Sequence, residues 1–174
     1  MTGDSMTGAV LRLPPAGRID WGPVLARGGR WSALVRAGST PALVARHSVG
    51  MVHVSAPYVS AAQERGAWHV WASTRASVLA AVEVGRLAAC GVTAVCPAVQ
   101  MAEIAHARAL CEDAPDPLDQ KFWADWARPI LNAARLLVIP DLPGWRSCPQ
   151  VWSDLRFALA HTMPVHVYGD ADAR

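Results

Sequence analysis

The chain has 174 residues, 52% of them hydrophobic and only 17% charged, against roughly 25% charged in an average globular protein. That length fits one compact domain, and that apolar content excludes a wholly disordered chain. The net charge of +2 and the pI near 8.5, with no block of like charges, are too mild to imply a nucleic-acid polymer or a membrane as partner.

Within residues 1–49, Pro14-Pro15, Gly28-Gly29 and Pro41 interrupt the chain and no periodicity is sustained. This stretch reads as a partly ordered N-terminal extension, with short elements allowed at 31–37 and 41–46. Its first residues lack the basic start and long apolar core of a secretory signal. A domain spanning 50–174 follows. Residues 51–56 (MVHVSA), closed by Pro57, suit a buried strand. Residues 58–73 read as a long polar connection. Ser73 or Thr74 can cap a helix over about 75–90, with Gly91 placed for a left-handed C-terminal residue. VTAVC (92–96) is a second strand ended by Pro97, and a helix at about 100–111 follows.

Asp116-Pro117 offers an N-cap acid and a proline at the first helical position. The helix it opens should break or kink at Pro129, where a backbone donor is lost. LLVI (136–139) is a third strand, stopped by Pro140. Pro149 opens a helix to about 162, with Val151, Leu155, Ala158 and Leu159 on one face, and PVHVY (164–168) is a fourth strand. Apolar strands alternating with helices predict an α/β fold, a parallel sheet of four to five strands covered by helices on both faces. Ligands of such sheets sit outside the carboxyl ends of the strands. No GxGxxG or GxxxxGK[ST] follows any strand, so the common dinucleotide and P-loop readings fail.

Three constellations fall at those strand ends. Ser55, Pro57 and Tyr58 follow the first strand, where a hydroxyl and an aromatic ring can meet a sugar or phosphate, or simply end the strand. Phe122, Trp123 and Trp126 flank Asp125, a carboxylate that needs a partner or a purpose if it lies among those rings. Gly144, Trp145, Arg146, Ser147 and Cys148 lead into the helix that carries Asp154. Amides at that helix start favour an anion, and Arg146 is a permanently charged planar donor. Asp154 reads either as a site acid projecting back toward the strand ends or as a surface acid. Six histidines are present, but no GxSxG elbow and no cysteine in a nucleophile motif, which argues against a serine or cysteine hydrolase. His53 and His166 lie in strand patterns and read as packed. Cys90, Cys96, Cys111 and Cys148 form no CxxC pair or metal-ligand set, and read as reduced thiols of a cytoplasmic protein. No metal or redox cofactor is implied.

Taken in order, VHVSAPY, LAACG, VCPAV, FWxDW, LLVIPDLPGWRS and VWSDLRFALAHTMPVHVY resemble the nucleoside 2-deoxyribosyltransferase-like superfamily, and within it the domain of unknown function 1937. The resemblance covers about residues 50–168. It implies a flavodoxin-like fold, no cofactor, self-association as a homodimer or larger homo-oligomer, and cleavage of the N-glycosidic bond of a nucleoside or nucleoside 5′-monophosphate. A carboxylate on the last helix would attack the anomeric carbon and form a glycosyl ester. Position by position, Asp154 falls where the nucleophilic glutamate is expected. Asp125 falls near the aspartate that orients base or nucleophile. Ser55, Pro57 and Tyr58 match the opening loop, Trp123 belongs to the linking helix, and Gly144, Trp145 and Arg146 match the later turn. Several positions depart from the pattern: Asp for Glu at 154, Cys148 for serine, Gln150 for glycine, Ala133-Ala134 for cysteine-aspartate, Cys96 for serine, and Gln100 near a usual histidine. These departures keep a second reading open, a module that binds a nucleotide-like ligand without turning it over.

Overall fold

A computed structural model describes residues 12–111 and 113–169. The first eleven residues of the expected extension and residues 170–174 of the expected domain lie outside this range. Along the chain run α1 (Gly22–Leu25), β1 (Val35–Arg36), α2 (Pro41–His47), β2 (Val52–Val54), β3 (Gln63–Glu64), β4 (Ala67–Trp68) and α3 (Val70–Ala89). Then come β5 (Ala94–Val95), α4 (Pro97–Ala107), α5 (Gln120–Ala133), β6 (Leu136–Ile139), α6 (Pro149–Ala160) and β7 (Val165–Val167).

Five strands form one sheet in the order β1-β7-β6-β2-β5, and every pairing is parallel. This is the α/β, Rossmann-like architecture that the strand–helix alternation predicts. Alternate residues of each strand face opposite sides, and each side has its own core. Leu137, Ile139, Val165 and Val167 pack with Leu155 and Ala158 of α6. Val52, Val54, Leu136 and Val138 pack with Ala76, Ala80 and Leu87 of α3. The chain leaves β2 toward β5 on one side and re-enters at β6 on the other. The carboxyl ends of β2 and β6 therefore mark the topological switch point, where such sheets hold ligands.

The expected N-terminal extension is not set apart from this sheet. Its residues 35–36 are the edge strand β1, in register with Val165 and His166 of β7. Trp21, Val24, Leu25 and Trp31 are buried in the same core as α6. Trp21 meets Trp145 edge-on at 4.6 Å and Trp152 at 5.0 Å, and donates its ring N–H to the Arg146 carbonyl at 2.8 Å. Trp152 reaches back to the Pro15 carbonyl at 3.0 Å. Large aromatic rings with one polar tip anchor a segment that has no periodicity of its own.

Several boundaries differ from the sequence expectation. The stretch 58–73 is not simply a connection: it holds the two-stranded β3–β4 hairpin and the first turn of α3. Arg65 and Gly66 both take positive φ, 54° and 81°, as a two-residue hairpin turn whose twist matches its strands requires. Helix α3 starts at Val70 with His69 as N-cap, so Ser73 is a buried helical residue rather than a cap. Its end is as predicted: Gly91 is left-handed at φ +77°, and Val92 and Gly91 donate to the Leu87 and Ala88 carbonyls. Helix α4 runs from Pro97 to Ala107, earlier than expected. Helix α5 is capped by Asp119, whose carboxylate accepts from the Phe122 amide at 2.9 Å. Asp116 instead accepts from Leu118 in the preceding turn. Pro129 lies inside α5 without ending it. The donor it lacks would have met the Asp125 carbonyl, on an exposed face where water can take that role.

Candidate active site

Strand β2 and helix α6 together build the polar centre. Val52 and Val54 turn to the α3 core, so His53 and Ser55 turn to the opposite side, toward α6. On α6, Val151, Asp154, Leu155 and Ala158 recur at three- and four-residue spacing, which sets Asp154 within the apolar stripe that packs on the sheet. Asp154 is accordingly buried, at 4% exposure.

A buried carboxylate needs donors, and Asp154 has them. Ser55 Oγ donates to Asp154 Oδ2 at 2.7 Å. Gln150 Nε2, one turn earlier on α6, donates to Oδ1 at 2.9 Å. His53 Nε2 lies 3.7 Å from Oδ2, while His53 Nδ1 has no partner. Buried Cys96, at the start of α4, has its thiol pushed up to about 12, chiefly by burial, with the charge of Asp154 adding to the rise. Cys96 therefore stays a neutral thiol and is no nucleophile at ordinary pH.

Two cavities meet at this end of the sheet. The inner one, about 20 Å³, is lined by His53, Ser55, Tyr58, Trp123, Gln150 and Asp154 among others. That is room for about one water molecule. The outer one is an open cleft of about 630 Å³, within the roughly 300–1,000 Å³ typical of small-molecule sites. Its walls come from the β2 exit loop, the β3–β4 hairpin, the first turns of α3 and the loop after β6. The β2 exit loop is the partition: Ala56, Tyr58 and Val59 face the inner cavity, and Pro57, Ser60 and Ala61 face the cleft. Ser60 Oγ also reaches Cys148 Sγ, the α6 N-cap, at 4.0 Å.

The residues singled out from sequence divide into three groups. Asp154, Ser55, Tyr58 and Trp123 converge on the inner cavity. The Tyr58 hydroxyl starts a separate chain, 2.9 Å to buried Ser73 Oγ and from there 3.0 Å to Nε2 of half-buried His106. Pro57, Gly144 and Ser147 line the outer cleft, and buried Cys148 lines neither cavity but meets Ser60 of the cleft wall. Trp145, Arg146 and Asp125 line neither cavity. Trp145 turns into the core against Trp21 and donates to Asp141 at 2.8 Å. The Arg146 guanidinium lies 4.7 Å from the Trp145 ring centroid, stacked on its own neighbour. Asp125 is 66% exposed and pairs with Lys121 at 2.6 Å. That pairing, a hydrogen bond first and a charge second, lowers the Asp125 pKa from its ordinary value. Trp123, Ala127 and Leu131 occupy the inward face of α5, and Asp125 falls on the opposite one.

Reading by motif misses His53 as a carboxylate neighbour and Gln150 as a donor. Both carry a spacing signal: His53 is two residues before Ser55 on one strand face, and Gln150 is four before Asp154 on one helix face. Trp71, Arg75 and Glu64 of the outer cleft are missed because Glu64 and Trp71 fall in the stretch read as a connection, ahead of the helix expected from about 75, so the four-residue step from Trp71 to Arg75 on α3 is not recognised as one helical turn. Among the described residues, no group of three His, Cys, Asp or Glu side chains is arranged to hold a metal ion. No described helix is long and apolar enough to cross a membrane.

No curated protein and no solved structure matches this chain. Residues 50–170, from the start of β2 past the end of β7, match the family model described as domain of unknown function (DUF1937). That span holds Asp154, its donors and both cavities, and the chain belongs to this family.

Proposed function

We propose that the protein cleaves the N-glycosidic bond of a nucleoside or nucleoside 5′-monophosphate, as hydrolase or transferase, with Asp154 as nucleophile. The observation that carries this reading is a carboxylate buried at the switch point of a parallel sheet, each oxygen held by one neutral donor beside a ligand-sized cleft. The nucleoside 2-deoxyribosyltransferase-like resemblance supplies the reaction class. An Asp154 oxygen attacks the anomeric carbon, and the carbon–nitrogen bond breaks. Its electron pair leaves with the base, which takes up a proton from water, and water or a second base then attacks the anomeric carbon, breaking its bond to the Asp154 oxygen and restoring the carboxylate. Ser55 and Gln150 fix the carboxylate plane, and each oxygen keeps a lone pair for attack. The β2 exit loop stands between Asp154 and the cleft, so on this reading the loop shifts when substrate enters.

The second reading, binding without turnover, is favoured by one observation: at 4% exposure Asp154 is nearly sealed from the cleft. Incubation with a panel of ribo- and deoxynucleosides and their 5′-monophosphates, followed by chromatography for free base, separates the two. The enzymatic reading expects base from wild type and none from Asp154→Asn. Thermal stabilisation by nucleotides with no base released from any substrate overturns it in favour of binding. Full activity in Asp154→Ala removes Asp154 from the mechanism.

A further inference from the structure

The outer cleft has a composition that the reaction class does not require. Trp71 lies in the first turn of α3 and is 73% exposed, so the faces of its indole are open to a ligand in the cleft it lines. Arg75 lies four residues later, one helical turn along the same face, and both line the cleft. No hydrogen bond or ion pair engages Arg75 among the described residues. Glu64, on the hairpin wall, instead faces His69 at 3.5 Å. The remaining lining is largely aliphatic, including Leu79, Leu142 and Pro143.

We infer that Trp71 and Arg75 form a selectivity subsite that stacks an aromatic base and pairs an anionic group, so the cleft takes a nucleoside monophosphate in preference to the neutral nucleoside. An indole face accepts any base by stacking. A guanidinium is always charged and matches two phosphate oxygens at once. One turn of helix between the two side chains leaves base and phosphate on separate contacts of one ligand. This inference rests on the cleft being the substrate site, but it concerns binding and is tested without turnover.

The test is calorimetric titration of wild type, Arg75→Gln, Arg75→Lys and Trp71→Ala with the four 2′-deoxynucleoside 5′-monophosphates, the matching nucleosides and inorganic phosphate. Wild type should bind the best monophosphate about ten-fold more tightly than its nucleoside, as one added charge-assisted contact implies. Arg75→Gln should erase that preference while keeping nucleoside affinity, and Arg75→Lys should keep most of it. Trp71→Ala should weaken both ligands in parallel, by roughly five- to one-hundred-fold. Equal affinity for monophosphate and nucleoside in wild type overturns the inference and leaves the proposed reaction standing. A preference that survives Arg75→Gln overturns the role of Arg75. Absence of binding by every nucleoside and monophosphate overturns the inference and the reading of the cleft together.

Discussion

The carboxyl end of the sheet and the outer face of α5 each hold one of the two acids that the sequence singles out, and they treat them oppositely. Asp154 is buried, bonded by Ser55 and Gln150 and flanked by His53. Asp125 is exposed and paired with the one lysine of the chain. Both acids have bulky apolar neighbours in sequence. The difference is helical phase. Asp154 shares the stripe of Val151, Leu155 and Ala158, whereas Asp125 lies opposite the stripe of Trp123, Ala127 and Leu131. Adjacency in sequence to aromatic rings therefore says little about a carboxylate, and its phase relative to the buried face says much.

The largest effect that sharpens this contrast is Asp154→Ala. It should abolish base release and, by leaving the Ser55 hydroxyl and the Gln150 amide without their acceptor, destabilise the fold by about 3 kcal/mol in denaturant titration. Activity retained in this variant would erase the distinction between the two regions.

An acid titration of stability probes a second polar group inside the sheet. His166 on β7 is buried with both ring nitrogens unpartnered. Burial first, then His47 and Arg36, lowers its pKa from 6.5 to about 4. The unfolded chain takes up this proton at a higher pH than the folded one. The contribution of His166 is thus fully present above about pH 6.5 and is lost as pH falls toward 4. The loss should reach about 3 kcal/mol, read from urea midpoints across that window, and should shrink in His166→Phe. A wild-type acid limb equal to that of His166→Phe would show that the ring is not held neutral.

Ser55→Ala should cost about 1–2 kcal/mol, the loss of one buried hydrogen bond to a carboxylate. It should also reduce base release more than it weakens nucleotide binding. The smallest effect belongs to α5. Asp125→Asn should leave base release unchanged and the melting temperature within error, because an exposed i,i+4 pair is screened and flexible. A large activity loss in Asp125→Asn would break the comparison by bringing that acid back to the site.

Much of this organisation is legible in the sequence. Prolines 57, 97, 140 and 149 mark strand ends and helix starts, and LLVI is β6 to the residue. Asp154 is legible because its phase on α6 can be counted. The extension is not, since β1 has only two residues and its pairing with β7 joins positions about 130 residues apart. A strand so short has no periodicity to read, and its partner is known only after folding. The hairpin is hidden for a related reason: Arg65 is a residue type that rarely adopts positive φ, so its turn carries half a signal. At Pro129 a local rule fails because the lost hydrogen bond falls on the wet side of the helix. The cleft residues Trp71 and Arg75 become visible only once that hairpin and α3 are in place.

The central claim, that Asp154 is the group that attacks the sugar, is tested most directly by trapping. A 2-fluorinated sugar slows release of a glycosyl ester, and intact-protein mass spectrometry after incubation with 2′-deoxy-2′-fluoronucleosides reads the adduct. The expected result is a mass increase equal to the fluorinated sugar, mapped by peptide analysis to Asp154 and absent from Asp154→Ala. A wild-type enzyme that releases base from ordinary nucleosides but carries its adduct on another residue would contradict it.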